Sequence, residues 1–563
     1  MTSVNQRATW HLMAAGFAIA AMPAAWAAQT LPPLSAIPDA GQTLRDLQRP
    51  AAPEAPPSAS LRVPAETEDV PDNGVRFAVS RVLIEGATHI PAAELQALVD
   101  PVVGPQVGLS DLSRAARRIT ELYHERGYLL ARAYLPAQEL QAGSVTIQVL
   151  EGLLGQSRVS NRSKLPTALL EGTLAAQLPS GHPIDSEQTD RALLLLADLP
   201  GAGSVSGSLR PGDRVGTSDL TVQVAPGKAV EGELSTDNYG NRYTGQYRMN
   251  GKVVLNSPLG IGDRLDLRGT YTNERLGYGR VAYDAPLGRD GLRLGSALST
   301  SHYELGQEFA NLKATGNART ATVYGSYPLL RSLDRNVWIA SNFEHRNLQD
   351  NIGATLSDTK KSANVITIEA YGDWADGLLG GGYTSWRVGA LAGTLRINSD
   401  IAKLVDEMGP RTKGAYQKYN VSLTRTQRLL ANSELVISLA GQMANKNLDS
   451  SEKFVLGGAY GVRAYPQGEG TGDEGWLSSI ELRHTVLPGM QAAIFADQGH
   501  VTFHHSAYAA GTNSQTLRGY GLSLTATEGN FSIKGVVAWR DGAAATSAPD
   551  HQPRFWLLVG YRL

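Results

Sequence analysis

From residue 228 to residue 563 the chain changes face at every residue, and few architectures can use so long a run of that pattern. In RLDLRGTY, Leu265, Leu267, Gly269 and Tyr271 fall on one face and Arg264, Asp266, Arg268 and Thr270 on the other. GRVAYDA, GLRLGSALS, KYNVSLT and ELVISLAGQM repeat it, the last with Leu435, Ile437, Leu439 and Met443 aligned. Gly, Asn, Asp and Pro turns separate the segments. Successive side chains of a strand point to opposite faces, so the run builds sheets with one apolar and one polar side. A soluble sandwich also alternates, with shorter segments and its polar face outside. At about 20 residues per strand and turn, residues 228–563 supply on the order of 16 antiparallel strands, an even number that suits a transmembrane β-barrel. The closing stretch RFWLLVGYRL places Phe555, Leu557, Val559, Tyr561 and Leu563 on one face, as a lipid-facing last strand requires. Tyr (21) and Trp (8) together outnumber Phe (9), which fits aromatic girdles at two interfaces.

The rest of the chain agrees with an exported barrel. Arg7, the apolar run Leu12 to Ala25 and the small-x-small site Ala25-Trp26-Ala27 read as a signal peptide over 1–27, with the mature chain beginning at Ala28. Beyond it, no apolar run approaches the ~20 residues that a membrane helix needs. Cysteine is absent, which excludes thiol catalysis, Cys-ligated zinc and disulfides and suits passage through an oxidising periplasm. A net charge of −2 gives no sign of a nucleic-acid partner.

Residues 28–75 are rich in Pro and Ala and read as a linker. Within it, 39–49 reads as one short helix, with Asp39 as N-cap and Pro50 as its stop. Its apolar residues are only Leu44 and Leu47, flanking Arg45, so a stable helix there has to dock on another surface. From residue 76 the pattern is mixed. RFAVSRVLIEG, PAAELQALV, LSDLSRAARRITELYHERG, YLLARAYLP and SVTIQVLEG give the order β-α-α-β-β over 76–152, with Ser110 or Asp111 capping the longer helix. The same order returns over 153–227, with an Asp185…Gln188 capping pair. Two tandem α+β modules are expected, the alternative being one α+β domain of twice the size.

Four segments carry a more specific signal. The first module holds Gly127, Tyr128, Pro136, Gln138, Gly143, Glu151 and Gly152 in HERGYLLARAYLPAQELQAGSVTIQVLEG. The start of the barrel holds Asp237, Asn238 and Gly240 in STDNYGNRYTGQYR. The Gly-rich segment 457–476, GGAYGVRAYPQGEGTGDEGW, holds Val462, Arg463, Ala464 and Tyr465, and AAIFADQGHV holds Phe495, Asp497 and Gly499. In these segments, and over essentially the whole mature chain, the sequence resembles the outer-membrane two-partner secretion transporters, which export filamentous haemagglutinins, haemolysins and contact-dependent inhibition toxins. The resemblance implies two periplasmic POTRA domains before a 16-stranded barrel. It also implies that the Val-Arg-Ala-Tyr segment is the tip of a loop folded back into the barrel, facing the Phe-x-Asp-x-Gly segment on an inner strand. Alternation puts Phe495, Asp497 and Gly499 on one face, and an aspartate on a barrel strand belongs in the lumen. Arg463 entering that lumen meets a bidentate acceptor, a contact better suited to positioning the loop than to stabilising the barrel. Ala464 stands where the family carries glycine, whose freedom to take positive φ alanine lacks. Leu563 stands where the family usually ends on an aromatic residue.

Other chemistry is poorly supported. GEGTG at 468–472 has no strand-turn-helix context and no GK[ST] sequence occurs, so no nucleotide site is expected. No G-x-S-x-G elbow is present, which disfavours a barrel-embedded hydrolase. His504 and His505, read as neighbours on a strand, point to opposite faces and make no metal pair. No cofactor, metal or catalytic residue is expected. The resemblance implies a monomeric transporter in outer-membrane lipid, inserted by the barrel-assembly machinery. It passes an unfolded secreted exoprotein outward without nucleotide hydrolysis, with segment 39–49 (Leu44, Arg45, Leu47) as a plug. A barrel-assembly factor of the same superfamily and a passive porin are the alternatives.

Overall fold

The computed structural model describes residues 37–48, 59–62, 74–139 and 142–563. The expected signal peptide 1–27, with Arg7 and the cleavage site at 25–27, lies outside the described residues, as do 28–36, 49–58 and 63–73 of the expected linker.

Sixteen strands close into an antiparallel barrel in plain chain order, and the first, Val230–Asp237, pairs with the last, Arg554–Arg562. Outward positions are apolar. On the last strand Phe555 is 62% and Leu557 47% exposed, whereas Trp556 between them is 3% exposed and faces inward. Inward positions carry charge in matched pairs: Asp266 accepts from Arg268 at 2.7 and 2.9 Å, and Asp284 accepts from Arg264 and Arg293. Alternation therefore fixes which face of each strand becomes the pore wall. Connections at one end are long, as at 398–413, 445–473 and 541–553. At the other end, where the N-terminal modules attach, they shrink to turns such as 431–432 and 529–530. Among the described residues no helix is long and apolar enough to cross a membrane.

The first helix, α1 (Ala40–Leu47), lies apart from both modules. In the first module the parallel pair Arg81–Glu85 and Ser144–Leu150, with antiparallel Arg132–Tyr134, backs onto α2 (Ala92–Val99) and α3 (Leu109–Glu125). The expected order gains a strand, because Gly104–Gly108 between the helices pairs with Arg76–Val79. The cap of α3 also differs from expectation. Gly108 is the N-cap, and Asp111, in the first turn, accepts the Gly108 N–H at 3.0 Å. That carboxylate is placed to satisfy a free helix N-terminal donor rather than to begin the helix.

The second module packs α4 (Thr167–Gln177) and α5 (Ser186–Ala197) on strands Leu153–Asn161, Ala202–Pro211 and Thr217–Pro226. Asp185 caps α5 by accepting the Gln188 N–H at 2.9 Å, as expected. A fourth strand comes from the stretch expected to be linker. Ala59–Arg62 pairs in parallel with Ala202–Pro211, and Ala59 and Leu61 join the module's apolar cluster. Four residues of alternating pattern inside a Pro-rich stretch carry too little signal to announce a strand. The second module is tied to the barrel by Arg331, whose guanidinium, 1% exposed, makes two 2.8 Å bonds to Asp198.

Candidate functional site in the barrel lumen

The connection 445–473 does not leave the barrel but folds into it. A two-residue hairpin, Phe454–Val455 with Thr471–Gly472, starts the insertion. The tip then turns on itself, with the Val462 N–H donating to the Leu456 carbonyl at 2.8 Å. Val462 and Tyr465 are fully buried, so the tip brings its own apolar side chains to the wall.

Arg463 is the polar centre of that contact. Its Nε and Nη2 donate to the two oxygens of Asp497 at 2.9 and 2.8 Å, and its backbone N–H donates to Oδ2 at 3.1 Å. Nη1 donates to Glu481 at 2.7 Å, and Ser479 sits between, accepting from Nη2 and donating to Asp497. The guanidinium carbon lies 3.3 Å from the centre of the Phe495 ring, and Trp556 Nε1 donates to the Arg463 carbonyl at 2.7 Å. Asp497 is 3% and Arg463 8% exposed. One arginine is thus held by two carboxylates and an aromatic face, largely out of water, where the pair is worth more than on a surface. Removing one partner of such a pair costs about 3–5 kcal/mol, because the other charge stays buried.

The structure brings Val462, Arg463, Ala464 and Tyr465 together with Phe495, Asp497 and Gly499. Two glycines make the close approach. A Cβ on Gly499 would press on Leu456 and stand 2.6 Å from the Trp476 carbonyl. A Cβ on Gly519 would stand 2.5 Å from that of Ala464. Ala464 is not among the residues with positive φ. Alanine therefore serves at this position without strain, and Gly519 provides the space for its methyl group. Tyr465 donates to the Ala543 carbonyl at 2.9 Å.

Sequence reasoning missed the anchors at the base of the loop. Glu452, 2% exposed, is held by Arg346, Lys418 and Tyr416, and Asp449 by Lys361 at 2.7 Å. Asp473 pairs with Lys453 at 2.7 Å, and Glu469 accepts from Gln515, Thr546 and Ser547. The available signal was the carboxylates Glu469 and Asp473 in the Gly-rich segment, with Asp449 and Glu452 shortly before it. His504 and His505 lie in the connection after strand Met490–Thr502, not on a strand as expected.

Helix α1 occupies the same lumen. Asp39 caps it by accepting the Gln42 N–H at 2.8 Å. The Ala40 N–H donates to Asp350 at 2.8 Å, and Ser450 donates to Asp39 at 2.6 Å. Arg45 donates to the carbonyls of Ser450 and Lys453, at 3.1 and 2.9 Å. Ala40 and Leu44 are 1% exposed, in a cluster with Tyr243, Tyr303, Phe309 and Leu348, and Leu47 is half-buried beside it. The helix therefore lies between the wall and the base of the inserted loop. Arg49, the last expected residue of this helix, lies outside the described residues.

With this geometry in view, the family model for the haemolysin secretion/activation protein ShlB/FhaC/HecB matches residues 216–526, and that for the ShlB-type POTRA domain matches 77–152. The chain belongs to the ShlB/FhaC/HecB family. It is 30% identical over 541 residues to the haem/haemopexin transporter protein HuxB of Haemophilus influenzae, with 93% of this chain and 94% of that protein covered. It is 26% identical to the outer membrane transporter CdiB of Escherichia coli O6:K15:H31, with 89% and 85% covered. A solved structure of CdiB from Escherichia coli superposes with a TM-score of 0.71 at 24% identity, covering 93% of this chain and 96% of that one, which supports the shared fold. This ShlB/FhaC/HecB protein is a two-partner secretion transporter of the outer membrane that exports a partner exoprotein. Its N-terminal modules lie in the periplasm, and the long connections therefore lie at the extracellular end.

The remaining motif residues in this ShlB/FhaC/HecB protein make contacts within the barrel and the POTRA module. Asp237 takes Arg248 through two bonds of 2.7 and 3.1 Å and also accepts from Asn250. The Asn238 side chain donates to the Phe555 carbonyl and accepts the Leu557 N–H, extending the seam between first and last strands. Gly240 donates to the Gln246 carbonyl within the first extracellular turn. In the POTRA module, Gln138 pairs with both backbone groups of Thr146 at 2.7 Å, taking the place of a strand, and also donates to the Pro136 carbonyl. The Gly143 carbonyl accepts the Ser80 N–H. Gly127 (φ +92°) ends α3 and Gly152 (φ +74°) ends the last strand, and both conformations favour glycine. Their carbonyls accept the Ser186 and Ile184 N–H groups, joining the two modules. Tyr128 packs edge-on to Tyr123.

Glu151 accepts from Thr88, from the His89 N–H and from Tyr123. Burial alone would raise the Glu151 pKa, but these donors outweigh it and hold the carboxyl down at about 2.

Proposed function

We propose that the barrel lumen is the export path, closed at rest by α1 and gated by the inserted loop, with Arg463 and Asp497 fixing the working position of the loop tip. The carrying observation is that two separate elements fill the lumen through contacts of different kinds. Helix α1 is held by a few hydrogen bonds that water or a passing chain replaces readily, and by one small apolar cluster. The loop tip is held by a buried charge cluster that is expensive to open. Helix α1 therefore leaves first, and the loop slides or tilts while its tip stays fastened to the wall.

The exoprotein arrives unfolded. Exposed sheet edges and the grooves beside the helices of the POTRA modules receive it as an extended strand. Folding outside the cell drives export, and no cofactor, metal or nucleotide takes part, so the protein is a channel rather than an enzyme. It works as a monomer in outer-membrane lipid, after insertion by the barrel-assembly machinery. The test is co-expression with a candidate partner exoprotein. The exoprotein should reach the medium only when the transporter is present. An exoprotein released equally without it removes the reading.

A further inference from the structure

The outer wall of the barrel is not uniformly convex. On strands Arg248–Asn256, Arg264–Thr272 and Gly277–Pro286, Gly251, Gly269 and Gly279 are direct cross-strand neighbours, facing outward by the two-residue period. A Cβ on Gly251 or Gly279 would meet nothing within 4 Å. Above this floor is a hollow of about 960 Å³, sided by Leu234, Val253, Val281 and Leu298, a volume in the range of small-molecule sites. These four side chains are exposed in the protein itself, by 52, 37, 51 and 68%.

At one side of the hollow the character changes. Gly279 pairs with Thr300, Thr300 with Arg319 and Arg319 with Asn347, so the glycine row continues into a polar rim. His345, one step below Asn347, accepts from the Asn347 amide at 3.2 Å, and its Nδ1 donates to Asn364 Oδ1 at 2.7 Å. The Arg319 side chain is exposed and has no hydrogen-bond or ion-pair partner among the described residues. Next to this rim, the row Val323, Phe343, Ile366 and Ala392 is wholly apolar. Each step of two residues along a strand tilted about 40° changes height by about 5 Å. Arg319 is two steps nearer the extracellular end than that row, so it stands about 10 Å above it, from where its long side chain reaches toward the headgroups at the edge of a core about 30 Å thick.

We propose that this hollow is a binding site for one phosphorylated glycolipid of the outer leaflet, with acyl chain over the glycine floor and a headgroup phosphate on Arg319. The guanidinium fork matches a phosphate, which supplies the partner that the protein does not. The hydrogen-bonding side chains of Asn347, His345 and Asn364 suit the hydroxyl groups of a sugar, which distinguishes this headgroup from that of a phospholipid. The site does not depend on the export reading, only on the barrel lying in the outer membrane.

The full chain in mild detergent is titrated with bis-phosphorylated lipid A, dephosphorylated lipid A and phosphatidylglycerol, and retained lipid is counted by native mass spectrometry. Arg319→Gln should weaken lipid A retention at least tenfold. Gly279→Val, which fills the hollow without touching the rim, should do the same. Dephosphorylated lipid A should bind the unmodified chain as weakly as lipid A binds Arg319→Gln, an arm that needs no variant to fold. Equal retention by both variants, or phosphatidylglycerol binding as tightly as lipid A, overturns the proposal.

Discussion

Arg463 illustrates what one residue contributes when its surroundings are built for it. Arg463→Ala and Asp497→Ala should each cut secretion at least tenfold while the barrel still assembles, seen as unchanged heat-modifiable migration. Arg463→Lys should fall between, because an ammonium cannot serve Asp497 and Glu481 with a planar fork. Normal secretion by both alanine variants would remove the role in positioning. The pairing of Arg463 with Asp497 was legible through the family resemblance, and alternation agreed with it by placing Phe495, Asp497 and Gly499 on one face. Glu481, Ser479 and Trp556 were not, because no local pattern reports which strands meet the loop tip. Glu151 makes a second prediction in the periplasmic module. A carboxyl held at about 2 stabilises the fold above its ordinary range, and that contribution fades as pH falls from about 4.5 toward 2. Hydrogen exchange over residues 76–152 should therefore speed up across that window, whereas Glu151→Gln should exchange faster at neutral pH and respond little to acid. An unchanged profile in the variant would contradict this.

Among the elements, α1 shows where legibility ends. Asp39 and Pro50 marked it as a short helix that needs a docking surface. That surface is made of Tyr303, Asp350 and Ser450, hundreds of residues away. Their proximity follows from barrel closure and loop insertion, which no periodicity encodes. Deleting residues 29–50 should raise the single-channel conductance of the purified barrel, and unchanged conductance would mean that α1 does not obstruct the pore. The strand Ala59–Arg62 was illegible for a different reason. It is short, and its partner Ala202–Pro211 supplies the hydrogen bonds that make it a strand at all.

For the whole molecule, sixteen strands and two preceding modules were legible because period two and the repeated α+β order persist for hundreds of residues. What could not be read was how the parts are fastened. Arg331 with Asp198 ties the second module to the barrel, and the Gly127 and Gly152 carbonyls tie the modules to each other. The central claim is that the exoprotein passes through the lumen that α1 occupies, and the absence of native cysteine makes it directly testable. A Cβ built on Gly41 lies 2.5 Å from Ser450 Oγ and 2.8 Å from the Ser451 nitrogen, so Gly41→Cys with Ser450→Cys brings two thiols within reach of a disulfide once α1 moves back from that backbone. Secretion by this double variant should stop when it is oxidised and return when reductant is added. An oxidised, cross-linked transporter that secretes at the unmodified rate would contradict the account.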